Sequence, residues 1–132
     1  MGADIHGGAE WKWKDNTTAK QPWGFIAPVP DYRSYDMFAV LADVRNSDGI
    51  RSMTKHIPLR GLPEVMSNEL RHQLEIASHS YTWYTLDELI KYKYMWRDDM
   101  GGEGWYFYLQ YLQWYSRAWY NADIRITIGF DN

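Results

Sequence analysis

A chain of 132 residues is long enough to bury a core as one compact domain, residues 1–132, without disulfide or metal staples. The absence of Cys excludes disulfides, iron–sulfur clusters and thiolate zinc sites, so any metal would need His, carboxylate or water ligands. A formal net charge of −3 argues against a protein that coats duplex DNA, and no run of about 18 apolar residues offers a membrane span.

Both ends of the chain alternate. In a strand, residues two apart share a face, so Asp4 and His6 project together near the start. Near the end, Ile124, Ile126, Ile128 and Phe130 form one apolar face, with Arg125, Thr127 and Asp131 on the other. If these strands are neighbours, one side of the sheet is core and the other gathers Asp4, His6, Arg125 and Asp131. Residues 3–14 read as a strand with a bulge at Gly7-Gly8, and 23–27 as its returning partner after the Asp15-Asn16-Thr17-Thr18 turn.

Ser34 or Asp36 starts a helix over about 35–44, ended by Asn46-Ser47-Asp48-Gly49. Residues 50–63 read as loop, and Pro63 or Ser67 opens a second helix toward Ala77. His79-Ser80 is a connector to a short strand at 81–84. Thr85-Leu86-Asp87-Glu88 is a capping box that begins a helix toward Tyr94. Residues 98–104 read as a flexible acidic loop, followed by a long helix over about 105–120. The sum is an α+β fold: a small antiparallel sheet including both terminal strands, with three to four helices packed on it.

The aromatic content stands out, with 8 Trp and 11 Tyr but only 4 Phe. Such residues combine large contact area with a polar handle and suit interfaces and ring stacking. In the last helix, apolar or aromatic residues occupy most of the circumference, which predicts burial on all sides and a homo-oligomer.

Several blocks resemble a family of small uncharacterised proteins of bacteriophage and prophage genomes. They are Met1-Gly2-x-Asp4-Ile5-His6, then Arg33-x-Tyr35-Asp36-x-Phe38 through Arg45-Asn46, and Arg60-Gly61-Leu62-Pro63. His79-Ser80-x-Thr82-Trp83-x-Thr85-Leu86-x-Glu88-Leu89 and Phe130-Asp131-Asn132 complete the series. Ala3 stands where the family often has Cys, which removes a thiolate beside Asp4 and His6. The resemblance implies a phage origin and the cytoplasm of an infected bacterium. By analogy with phage proteins of this size, it implies antagonism of host defence, including capture of cyclic-nucleotide signals.

Three functional readings compete. In the first, Arg33, Arg45, Arg60 and Arg125 converge to hold the anionic groups of a small nucleotide-like ligand while Tyr35, Trp83 and Tyr84 stack on its ring. This protein would be a non-enzymatic anti-defence sponge, with no cofactor. In the second, Asp4, His6, His79 and Asp131 form a metal-dependent phosphodiesterase or related hydrolase, with Asp4 and His6 as ligands. The bland counterpart is that Asp4 pairs with Arg125, and the other arginines with Asp36, Asp43 or Glu64. The third reading is a protein–protein inhibitor of a host defence factor that docks through the aromatic helix. His79-Ser80 is not read as a catalytic pair, because chain neighbours rarely face each other as base and nucleophile.

Overall fold

A computed structural model describes residues 2–119 and 121–132. Met1, at the head of the N-terminal block, and Tyr120, the predicted last residue of the long helix, lie outside these. Four strands, β1 (Ile5–Trp13), β2 (Gly24–Pro28), β3 (His79–Thr85) and β4 (Ala122–Phe130), form one antiparallel sheet in the order β2-β1-β4-β3. Both terminal strands are its centre. They pair along their full length, from Ile5 opposite Phe130 to Trp13 opposite Ala122. The irregularity expected at Gly7-Gly8 falls two positions later, between Ala9 and Glu10 against β2. Gly7 instead supplies a close approach. Its φ is 132°, and a Cβ there would lie 1.9 Å from the Thr127 carbonyl oxygen.

Helix α1 (Tyr35–Ala42) starts at Ser34, whose hydroxyl accepts from the Met37 N–H, and stops at Asp43 in the left-handed conformation. It is buried from Met37 to Ala42 against the sheet's apolar face. Helix α2 (Asn68–Gln73) is capped by Ser67, and α3 (Leu86–Tyr92) opens on the full Thr85/Glu88 capping box. Helix α4 (Gly102–Ala118) begins earlier than its sequence suggests. Gly101 adopts φ 83° and turns the chain, so Gly102-Glu103-Gly104 are helical rather than loop.

The apolar face of β1 and β4 behaves as its alternation predicts. Ile124, Ile126, Ile128 and Phe130 join Phe38, Leu41, Tyr84, Leu89, Trp105, Leu109 and Leu112 in one core. The opposite face is not an open polar surface. A second, smaller core of Met66, Leu70, Leu74 and Ala77 packs on it with Phe25 and Tyr81, so α2 covers what α1 and α4 do not. Helix α4 is also not buried all round. Trp105, Tyr108, Leu109 and Leu112 face inward, while Phe107 and Trp114 are 62% exposed and Tyr111 is 44% exposed. Among the described residues, no helix is long and apolar enough to cross a membrane.

Candidate functional site

The polar residues of the second sheet face separate into two sites at opposite ends of β4. Arg125 and Asp131 are six positions apart, roughly 20 Å of strand.

The first site ties the chain ends together. Arg33 donates through Nε and Nη2 to both carboxylate oxygens of Asp4, at 2.8 and 2.9 Å. Asp131 accepts the Asp4 N–H at 3.0 Å through Oδ1, and its Oδ2 lies 2.7 Å from His6 Nε2. The hydrogen bond from Arg33 holds Asp4 below the ordinary carboxylate value, and that with His6 does the same to Asp131. Tyr35 Oη meets the Ala3 N–H at 3.2 Å, and the Arg45 guanidinium lies 5.3 Å from the Tyr35 ring centre. Every strong contact here is already satisfied within the chain. Among the described residues, no group of three or more His, Asp or Glu is placed to hold a metal ion. The pairing expected between Asp4 and Arg125 is replaced by Asp4–Arg33, because β1 and β4 run antiparallel and carry Arg125 to the far end.

His79 stands apart from this site, its ring near Phe130 at 6.3 Å. Its Nδ1 is 2.9 Å from Ser80 Oγ, so these chain neighbours do face each other, contrary to expectation. The reason is local: Ser80 has φ 56°, a left-handed backbone that turns its hydroxyl back. His79 Nε2 is buried without a hydrogen-bond partner, so no carboxylate orients the imidazole as an acyl-transfer site requires.

The second site is the deeper one. Glu10 is fully buried; its Oε1 accepts from Arg125 Nη2 at 2.5 Å and its Oε2 from the Ser67 N–H at 2.7 Å. Arg125, 8% exposed, also donates to the Val65 carbonyl at 2.8 Å. Its guanidinium lies 3.8 Å from the ring centre of Trp23, a cation–π contact. Burial lowers Arg125 from the ordinary arginine value, opposed by the hydrogen bond to Glu10. Its Nε–H is buried with no acceptor.

Beside Arg125 opens a hollow of about 420 Å³, bordered among others by Lys14, Trp23, Trp83, Asp87, Asp123 and Arg125 itself. Trp83 is backed by Arg60, whose guanidinium lies 4.3 Å from its ring centre. Arg60 itself forks onto Glu88 at 2.7 and 2.6 Å, and that hydrogen bonding holds Glu88 below its ordinary value. The four arginines therefore do not share one cavity. Arg60 and Arg125 meet through Trp83 and the hollow, whereas Arg33 and Arg45 belong to the Tyr35 end. Three of them pair with Asp4, Glu88 and Glu10 rather than with Asp36, Asp43 or Glu64.

Tyr84 faces away from any ligand. It is 1% exposed, donates to the Leu41 carbonyl at 2.6 Å, and burial raises its pKa. Adjacent strand residues point to opposite faces, so Trp83 at the hollow puts Tyr84 in the core. Sequence reasoning missed Trp23, Glu10 and Lys14. Of these only Glu10 carried a signal, a charge on the same strand face as His6 and opposite Arg125 once β1 and β4 are paired.

No known protein family, curated protein or solved structure matches the chain.

Proposed function

We propose that this chain is a non-enzymatic binding protein that captures a small nucleotide-like ligand in the hollow bordered by Trp23, Trp83 and Arg125. As a phage protein it would withhold that ligand, a host defence signal, from its receptor. The phage part of this reading rests on the sequence blocks that run from the N-terminus to Phe130-Asp131-Asn132. The capture part rests on one observation: two indole rings and a buried guanidinium with an unpaired N–H border one hollow of about 420 Å³. That volume suits a small ligand, and stacking on indoles is the sequence-tolerant way to hold a base.

The charges narrow the ligand. Lys14 and Arg125 are balanced by Asp87 and Asp123 around the hollow, and Arg125 is already matched by Glu10. A polyphosphate would meet no net positive field there. A flat ring with one phosphodiester charge fits better, its anion at Lys14 and Arg125 and its exocyclic amino groups donating to the carboxylates.

The test is calorimetric titration with cyclic AMP, cyclic GMP and cyclic dinucleotides, followed by heat release and chromatography of the supernatant. Saturable binding below about 10 µM, lost in Trp23→Ala and Trp83→Ala and with the ligand recovered intact, supports capture. Recovery of a hydrolysed product, or no binding by any of these probes, overturns it.

A further inference from the structure

Helix α4 presents an exposed aromatic stripe directly opposite its buried face. At 100° per residue, Glu103, Phe107, Gln110, Tyr111, Trp114 and Arg117 fall within an arc of about 120°. Apart from the adjacent Gln110 and Tyr111, successive members sit three or four positions apart, and none belongs to the inward set of Trp105, Tyr108, Leu109 and Leu112. Tyr111 and Trp114 stack on each other in solvent at 6.2 Å. Taking roughly 150–250 Å² per aromatic side chain, Phe107, Tyr111 and Trp114 leave on the order of 350 Å² of ring surface in water. A contiguous patch of that size is in the range of the largest apolar patch on a typical monomer, which is often functional.

We infer that this stripe is the self-association surface of the protein, and that two copies pack α4 against α4 in antiparallel fashion about a two-fold axis near Gln110 and Tyr111. The arrangement of charge selects a second copy as the occupant. The stripe is symmetric about its midpoint: Phe107 and Trp114 lie on either side of it, and Glu103 and Arg117 lie farther out. A two-fold axis there sets Phe107 against the partner's Trp114 and Glu103 against the partner's Arg117, and repeats both contacts by symmetry. Neither Glu103 nor Arg117 has an opposite charge within ion-pair distance among the described residues. Glu103 also lies near the positive end of the helix dipole and Arg117 near the negative end, so antiparallel packing aligns the two macrodipoles favourably.

One flank extends the same surface. Tyr32, 71% exposed, borders a hollow of about 520 Å³ with Glu103 and Phe107 at the start of the helix. This inference is independent of the ligand hollow, which Trp23, Trp83 and Arg125 border without any residue of the stripe.

Sedimentation equilibrium on the intact protein, from 1 to 100 µM, tests it. The expected result is a dimer, reduced to monomer in Trp114→Glu with an unchanged circular dichroism spectrum. Glu103→Arg and Arg117→Glu should each weaken the dimer about tenfold by placing two like-charge pairs across the axis. The double variant should restore it to within a few-fold. A monomer at 100 µM, a dimer indifferent to Trp114→Glu, or a double variant no tighter than the singles would overturn the inference.

Discussion

Removing the Arg125 guanidinium leaves the Glu10 carboxylate wholly buried, with the Ser67 N–H as its one remaining donor. Breaking a buried pair from one side costs about 3–5 kcal/mol, because the surviving charge keeps its desolvation penalty and loses its compensation. Arg125→Met and Glu10→Leu should each lower stability by that amount, a large part of the roughly 5–15 kcal/mol typical of a domain. For a chain of 132 residues this is a fall in Tm of roughly 10–15 °C. Glu10→Leu combined with Arg125→Met behaves differently. Both charges are gone, and the residual cost is the unpaired Ser67 N–H and Val65 carbonyl, roughly 1–3 kcal/mol each. The double variant should therefore be more stable than either additive expectation, with a coupling energy of at least about 2 kcal/mol. Urea denaturation followed by far-UV circular dichroism measures all four proteins. Additive single-variant costs, or singles below about 1 kcal/mol, would refute the claim that Glu10 and Arg125 form one buried unit that docks the start of α2 on the sheet.

Other consequences follow from the same contacts. Hydrogen bonds from Arg60, Arg33 and His6 hold Glu88, Asp4 and Asp131 below their ordinary values, so their contributions are complete above pH about 4 and lost as the pH falls below it. The urea midpoint should drop more steeply between about pH 4.5 and about 2 in the wild type than in Arg60→Ala with His6→Ala, and equal slopes would contradict the assignment. Gly7→Ala forces a Cβ onto the Thr127 carbonyl at a φ of 132° and should cost at least about 3 kcal/mol. Gly61→Ala, also left-handed but with nothing within 4 Å of a Cβ, should cost about 1 kcal/mol, so comparable losses would show that the close approach does not matter. Thr85→Ala removes the hydroxyl that accepts the Glu88 N–H and should cost about 1 kcal/mol by thermal melting.

Local chemistry made most elements readable. Ser34, Ser67 and Thr85 each mark a helix start because a short side-chain oxygen satisfies an otherwise unpaired N–H, which needs no knowledge of the rest of the chain. The period of two in Ile124–Phe130 placed the core face of β4 for the same reason. The cover on the second face was not readable. Met66, Leu70, Leu74 and Ala77 announce an apolar stripe but not which side of the sheet receives it. In α4, the number of aromatics suggested burial all round. The polar Glu103, Gln110 and Arg117 mark the solvent face, and the aromatics interleaved with them belong to that face.

The candidate site shows where such reading ends. Arginine positions are visible in a sequence, but their partners are set by register and topology. Arg33 reaches Asp4 across 29 positions, Arg60 reaches Glu88 across 28, and Arg125 reaches Glu10 across 115. The last pairing follows once β1 and β4 are laid side by side, since Glu10 then stands opposite Arg125. Trp23 follows from no local rule, because it precedes β2 and reaches the guanidinium only through the sheet. Arg33, at the Tyr35 end, already spends its guanidinium on both oxygens of Asp4. Arg125 differs, because its buried Nε–H lacks an acceptor while its face is stacked on an indole beside an open hollow. A buried donor left unpaired costs free energy, and that cost is why the proposed capture is centred on Arg125 rather than on the more exposed charges.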